Sequence, residues 1–201
     1  MLIFSKARLV FLSVPKTGTT AYESALAPLA DMVIANPPEL KHAPVYRYNR
    51  FFRPMVDKFI GEDVEILAVV REPVSWLGSW YRFRQRPFME GRPNATHGLS
   101  FDDFVEGYCK GQRPGFANVG SQAKFLEPAG NGTGATRLFR YEDQAGLRAF
   151  LEARLDTTFE TTRENVSPEM PLSLSPGVEA KLRRKHPEDF ALHDAIPVSG
   201  A

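Results

Sequence analysis

The chain has 201 residues, 43% of them hydrophobic and 24% charged, the size and make-up of one globular domain with its own core, which excludes a disordered chain, a collagen-like fibre and a coiled coil. A net charge of +1 excludes a generally basic nucleic-acid binder. The charge is uneven, however: residues 1–100 hold 13 Lys and Arg against 9 Asp and Glu, and residues 101–201 hold 12 against 15, so a locally basic site for a small anion stays open.

The apolar residues of Met1–Phe4 run on toward Leu9-Val10-Phe11-Leu12-Ser13-Val14, a short run that reads as a first strand buried on both faces. Pro15 breaks it, and Thr19 to Leu29 then has helical spacing, with Ala21, Ala25, Leu26 and Leu29 on one side. Met32-Val33-Ile34 is a second short strand, followed by a loop at Asn36-Pro37-Pro38. Val45 to Ile60 is helical with a break near Pro54. Val64 to Val70 is the clearest buried strand, and Pro73 suits the first turn of a helix reaching about Arg86. Residues 87–98 form a surface loop. Ser100, with Asp103 three residues on, caps a helix to about Cys109. After a loop at Gly130–Gly134, Thr136 to Tyr141 is a further strand and Gln144 to Leu155 a helix. Two short helical patterns follow, at Pro176–Lys185 and Pro187–Ile196. Strands alternating with helices predict one α/β domain over residues 1–201, three layers deep, with a mainly parallel central sheet flanked by helices.

Cys109 is the single cysteine, which leaves no internal disulfide and no cysteine-based metal cage. No stretch is apolar enough to span a bilayer, and the opening segment lacks the apolar core of a signal peptide. A cytoplasmic location is therefore expected, and the Asn-X-Thr patterns at Asn94 and Asn131 then carry no consequence.

Two motifs carry chemistry. The first is a strand, then Pro15-Lys16-Thr17-Gly18-Thr19-Thr20, then a helix. Such a turn aims backbone N–H groups and the positive end of the helix dipole at one point, and Lys16 adds a full charge. It suits phosphate or a related oxyanion, although a plain helix cap with an incidental lysine is the alternative. It is not a Walker A loop, which ends in Gly-Lys-Ser/Thr. The second motif runs from Val69 to Arg82. Arg71 ends a buried strand, where ligands of open α/β sheets bind. Ser75, Ser79, Arg82 and Arg86 fall on one helix stripe beside it, either completing a second phosphate pocket or simply solvated. The neighbouring stripe, Trp76, Trp80 and Phe83, reads as core.

Together these motifs resemble the sulfotransferases that use 3′-phosphoadenosine 5′-phosphosulfate (PAPS), and within them the carbohydrate-sulfotransferase branch and its bacterial relatives. Pro15 to Thr20 matches the family's 5′-phosphosulfate loop. Arg71 and Ser79 keep the spacing of its 3′-phosphate motif. Gln122-Ala123-Lys124-Phe125-Leu126, Arg140-Tyr141-Glu142-Asp143 and Asn165-Val166-Ser167 agree in order, so the resemblance runs from about Arg8 to Ile196. It implies a P-loop-like fold, PAPS as sulfuryl donor without a metal, and a small-molecule or saccharide hydroxyl as acceptor. Lys16 would contact the phosphosulfate, and Thr17, Gly18, Thr19 and Thr20 would hold the 5′ end. Arg71 and Ser79 would bind the 3′-phosphate. Tyr141 matches a position near the adenine, or else plugs the core.

An acceptor hydroxyl needs a general base. Of His42, His97, His186 and His193, only His42 lies between the two anion motifs, where the family commonly places its base; a structural role is the alternative. Glu72 is a competitor, with a salt bridge to Arg71 as its simpler role. The intervals 37–60 and 84–117 are expected to wall the acceptor site. Arg47, Arg50, Arg53, Arg82, Arg84 and Arg86 would suit an anionic saccharide, and Tyr46, Tyr48 and Phe52 would stack on a sugar or a phenol. Two other readings remain: a P-loop kinase, which needs an acidic metal ligand where Arg71 stands, and a non-catalytic binding module of sulfotransferase-like fold.

Overall fold

A computed structural model of the chain describes residues 1–161 and 170–198, so the Asn165-Val166-Ser167 motif lies outside the described residues. The first strand of the sequence reading is two strands. β1 (Leu2–Phe4) and β2 (Leu9–Phe11) form an antiparallel pair joined by a four-residue turn. That turn contains neither Gly nor Pro, and Arg8 supplies the left-handed backbone at φ 47°. After α1 (Thr19–Leu26), β3 (Met32–Val33) pairs antiparallel with the other edge of β1. Three helices follow: the single turn α2 (Pro38–Lys41), then α3 (Val45–Phe51) and α4 (Arg53–Phe59). The break falls at Phe52, just ahead of Pro54, because a proline ring disfavours helical backbone before it and cannot continue the hydrogen-bond ladder.

β4 (Glu65–Val70) returns parallel to β2, and α5 (Pro73–Arg84) leaves its carboxyl end. α6 (Phe101–Tyr108) starts at the expected capping box, with Ser100 and Asp103 bonded reciprocally. α7 (Gln122–Leu126) precedes β5 (Arg137–Arg140), which pairs parallel with β4. α8 (Gln144–Leu155), α9 (Pro176–Lys185) and α10 (Pro187–Asp194) complete the described elements.

The five strands lie in the order β3-β1-β2-β4-β5. This corrects the expectation of a mainly parallel sheet: the sheet is mixed, with two antiparallel pairings and two parallel ones. The cause is connection length. A four-residue turn can only fold back as a hairpin, whereas a parallel neighbour needs a crossover of a dozen or more residues.

Side chains alternate across the sheet with the period-2 geometry of strands. Ile3, Val10, Leu12, Ile66, Ala68 and Val70 meet α3 and α4 through Val45, Tyr48 and Val56. Leu2, Phe4, Leu9, Phe11, Leu67 and Val69 face the other way, onto Tyr22 and Leu26 of α1 and Leu147 and Leu151 of α8. Helices therefore cover both faces. A separate aromatic core, with Trp76, Tyr81, Phe104 and Tyr108, joins α5 to α6 and to the α9–α10 pair. Among the described residues, no helix is long and apolar enough to cross a membrane.

Candidate functional site

β2, β4 and β5 are adjacent and parallel, so the loops leaving their carboxyl ends share one edge of the sheet. Those loops carry Lys16, Arg71 and Tyr141. The parallel pairing thus gathers three residues that are far apart in sequence.

Among the described residues, no side chain caps the loop after β2 where it enters α1, and of the first-turn amides Ala21 N–H already bonds Gly18 O. Gly18, at φ 73°, is the N-cap of α1 and offers no side-chain acceptor, while the other first-turn N–H groups of a helix have no intrahelical partner. Lys16 is also left-handed, at φ 66°, which a non-glycine residue adopts only when its surroundings compel it. The compulsion is visible on both sides: Trp76 donates its indole N–H to Pro15 O at 2.8 Å, and the Thr17 hydroxyl donates to Val14 O at 2.9 Å. Thr17, 1% exposed, therefore braces the loop with its hydroxyl rather than presenting it. Thr19 is buried, and Thr20 is partly exposed.

Four cations converge here. Burial pushes the Lys16 ammonium down to about 8, and repulsion from Arg86, Arg71 and Arg82 pushes in the same direction. Its Nζ lies 4.4 Å from the centroid of the Phe83 ring and 5.8 Å from that of Trp80. Trp80 and Phe83 were expected in the core. Both are half-buried; Trp80 packs on the aromatic core, as expected, and with Phe83 also faces the Lys16 ammonium. The indole N–H of Trp80 is buried with no acceptor among the described residues. Arg82 is held by a 3.4 Å bond to Met170 O.

Arg71 is fixed from several directions. Its Nε donates to Ser75 Oγ at 2.9 Å, its Nη1 to Lys16 O at 3.4 Å, and its guanidinium stacks 4.2 Å from the centre of the Tyr141 ring. Gln122 grips its backbone with two bonds, accepting from Arg71 N–H at 2.9 Å and donating to Arg71 O at 2.7 Å. The hydroxyl beside Arg71 is thus that of Ser75. Ser79, one turn further on, is 7% exposed. Tyr141 also closes over Gly18, where an added Cβ would stand 2.9 Å from the ring.

His42 lies against the same loop. Its Nδ1 is 2.7 Å from the carbonyl oxygen of Ser13; because a carbonyl only accepts, Nδ1 carries the hydrogen and Nε2 keeps the lone pair of the neutral ring. Burial holds the imidazole below its ordinary value, against an opposing pull from the hydrogen bond to Ser13, and Lys41 adds to the depression. A largely buried ion pair between the half-buried Lys41 and the buried Glu23, at 2.5 Å, anchors the end of α2 beside it.

Several expected residues lie elsewhere. Both Glu72 oxygens accept backbone N–H bonds, from Val74 and Ser75, so Glu72 is the cap of α5. Arg84 is 6% exposed and clamps the carbonyls of Gly115 and Asn118. Tyr48 is buried in the core. Arg47 and Tyr46, within the interval expected to wall the acceptor site, are held by an Arg47 bond to the carbonyl of Glu39 and by their mutual stacking.

What the arrangement can do is bind a multiply charged anion against a rigid, positively charged strand edge, with a neutral imidazole at the start of the same loop. No protein-family model matches the chain, and neither a curated protein nor a solved structure does.

Proposed function

We propose that this protein is a PAPS-dependent sulfotransferase acting on a hydroxyl acceptor, a saccharide or another small molecule. The observation that carries the reading is the convergence of Lys16, Arg71, Arg82 and Arg86 beside the loop entering α1. The donor is a nucleotide with anionic groups at two ends, and the converging cations offer a partner to each end. Lys16 and the first-turn amides of α1 serve the 5′-phosphosulfate, and Arg71 with Ser75, Ser79 and Arg82 serves the 3′-phosphate. The Tyr141 ring, stacked on Arg71, offers an aromatic face to the adenine.

PAPS supplies an activated sulfuryl group, whose S–O bond to the 5′-phosphate breaks as a bond to the acceptor oxygen forms. Lys16 stabilises the negative charge that gathers on the leaving phosphate, and the preorganised amides share that load without reorganising. His42 Nε2 takes the proton of the acceptor hydroxyl. The lowered pKa of His42 keeps the ring neutral at neutral pH, so that the Nε2 lone pair is free to accept the proton. The half-buried rings of Phe83 and Trp80 lie against the Lys16 ammonium.

Calorimetry without divalent metal tests the donor assignment. 3′-Phosphoadenosine 5′-phosphate is expected to bind far more tightly than AMP or ATP, and Arg71→Ala to cost that ligand roughly 1.5–3 kcal/mol, the worth of a charge-assisted hydrogen bond. Equal affinity for AMP overturns the 3′-phosphate site, and metal-dependent ATP binding favours a kinase. Transfer of labelled sulfate from PAPS to a panel of sugars, phenols and lipids identifies the acceptor; no transfer to any of them leaves the binding-module reading standing.

A further inference from the structure

A cavity of about 570 Å³ opens where α6 ends and α9 meets α10. Among the described residues it is lined by Cys109, Lys110, Arg113, Asn118, Lys185 and His186, together with a glycine, with no acidic residue in that lining, although Glu188 meets His186 beside it. None of these residues belongs to the loop of Lys16 or to the strand end of Arg71.

Arg113 is fixed in the wall before any ligand arrives. Its guanidinium stacks 3.9 Å from the centre of the Tyr108 ring, its Nε donates to Tyr108 O at 2.9 Å, and its Nη1 to Gly120 O at 2.8 Å. That leaves Nη2, which faces His186 Nε2 at 3.5 Å. Glu188 engages the other ring nitrogen, Nδ1, at 3.4 Å. The neighbouring carboxylate of Asp189 is 3% exposed and occupied by the Tyr108 and Ser121 hydroxyls and the Ala123 amide.

Of the cations of α9, Lys181 pairs with Glu106 and Arg183 with Glu179, while Arg184 and Lys185 have no ion-pair partner among the described residues. The unpaired Lys185 shares the rim with Lys110, which follows α6 and likewise has no ion-pair partner among the described residues. Lys185 closes α9, where a cation offsets the helix dipole whatever else it does. That account does not extend to Arg113, which stands in a loop and is held at three points.

We propose that this cavity is a second binding site, for a small phosphorylated or sulfated ligand whose anion is held by Arg113, Lys110 and Lys185, with His186 steadying the Arg113 guanidinium. The cavity is an open depression, with Lys110, Asn118 and Lys185 exposed on it, and its volume admits a sugar-sized molecule. Asn118 offers donors and an acceptor to the hydroxyls of such a body. The site stands independently of the PAPS reading, since no residue is shared.

The test is chemical-shift mapping of the wild-type ¹⁵N-labelled protein at near-physiological salt, where loose surface attraction is screened. Glucose 6-phosphate, glucose 6-sulfate and glucose are the three probes. At least one ester is expected to give saturable shifts at the amides of Cys109, Gly111, Asn118 and His186, with glucose giving none, and the tighter ester identifies the source of the anion. Lys110→Ala/Lys185→Ala, which removes two exposed side chains, is expected to weaken binding at those amides about tenfold or more. It is also expected to leave any ester-induced shifts at Gly18 and Thr19 unchanged. Absence of saturation at the cavity amides, equal binding of glucose, or an unchanged affinity in the double variant overturns the proposal.

Discussion

Lys16 combines strained backbone with a charge that its surroundings oppose, and both features make its role measurable. Its ammonium, pushed down to about 8 by burial and then by Arg86, Arg71 and Arg82, loses its proton at lower pH than an ordinary lysine. Affinity for 3′-phosphoadenosine 5′-phosphate is therefore expected to fall as pH rises from 7 to 9, and Lys16→Ala to flatten that limb; calorimetry across the range reads it. If Lys16 meets charge developing on the leaving phosphate, Lys16→Ala also lowers kcat by about 10²–10³. A raised KM with unchanged kcat would confine it to binding. Lys16→Arg is expected to rescue poorly, because a planar fork does not replace a compact ammonium in a tight left-handed turn.

His42 is read by the acid limb. An imidazole must be neutral to accept a proton, and burial places its pKa below the usual value of about 6.5. Activity is expected to hold down to a lower pH than an exposed histidine would allow, then fall. His42→Ala should cost roughly 10²–10⁴ in kcat with donor affinity nearly unchanged. His97→Ala, on an exposed position, is the control. Full activity of His42→Ala moves the base elsewhere.

Elements, rather than single side chains, account for what could and could not be read from the sequence. β4 was legible because five of its six residues are buried and so form an unbroken apolar run. α6 was legible because its cap is written in adjacent residues, Ser100 and Asp103. β1 was not, because its turn uses Arg8 in place of the glycine that would have marked it. α2 and α7 have four and five residues, too few to show a helical period. The break between α3 and α4 was foreseen from Pro54 and lies two residues earlier. Glu72 illustrates the ambiguity of a lone carboxylate, since its position beside Arg71 admits a base, an ion pair or a cap, and only the bonds to Val74 and Ser75 decide for the cap. Glu72→Ala is accordingly expected to destabilise the fold by about 0.5–2 kcal/mol, as loss of an N-cap does, and to leave the acid limb of the pH–rate profile in place. A shifted limb, read beside the denaturation midpoint, would return Glu72 to the list of bases.

At the scale of the whole molecule, the site is a product of strand pairing. Lys16 and Arg71 could be assigned to strand ends from the sequence, and the parallel register of Phe11 with Leu67 brings those ends together. The contacts that rigidify them could not be read, because they join distant parts of the chain. Gln122 grips Arg71 across 51 residues, and Trp76 reaches Pro15 across 61. Such a frame makes donor binding visible as stability. A ligand that binds only the folded state stabilises it by about 2.7 kcal/mol at a hundredfold excess over its Kd. For a chain of this length each kcal/mol raises Tm by about 2–4 °C, so saturating 3′-phosphoadenosine 5′-phosphate is expected to raise it by roughly 5–11 °C. AMP at the same concentration lacks the group that meets Arg71 and is expected to give a smaller rise. In Arg71→Ala the two nucleotides should become alike, with the 5′ end still held by Lys16 and the amides of α1. A thermal scan in which Arg71→Ala retains the full preference for the bisphosphate would place the 3′-phosphate away from Arg71, and overturn the division of the cations between the two ends of the donor.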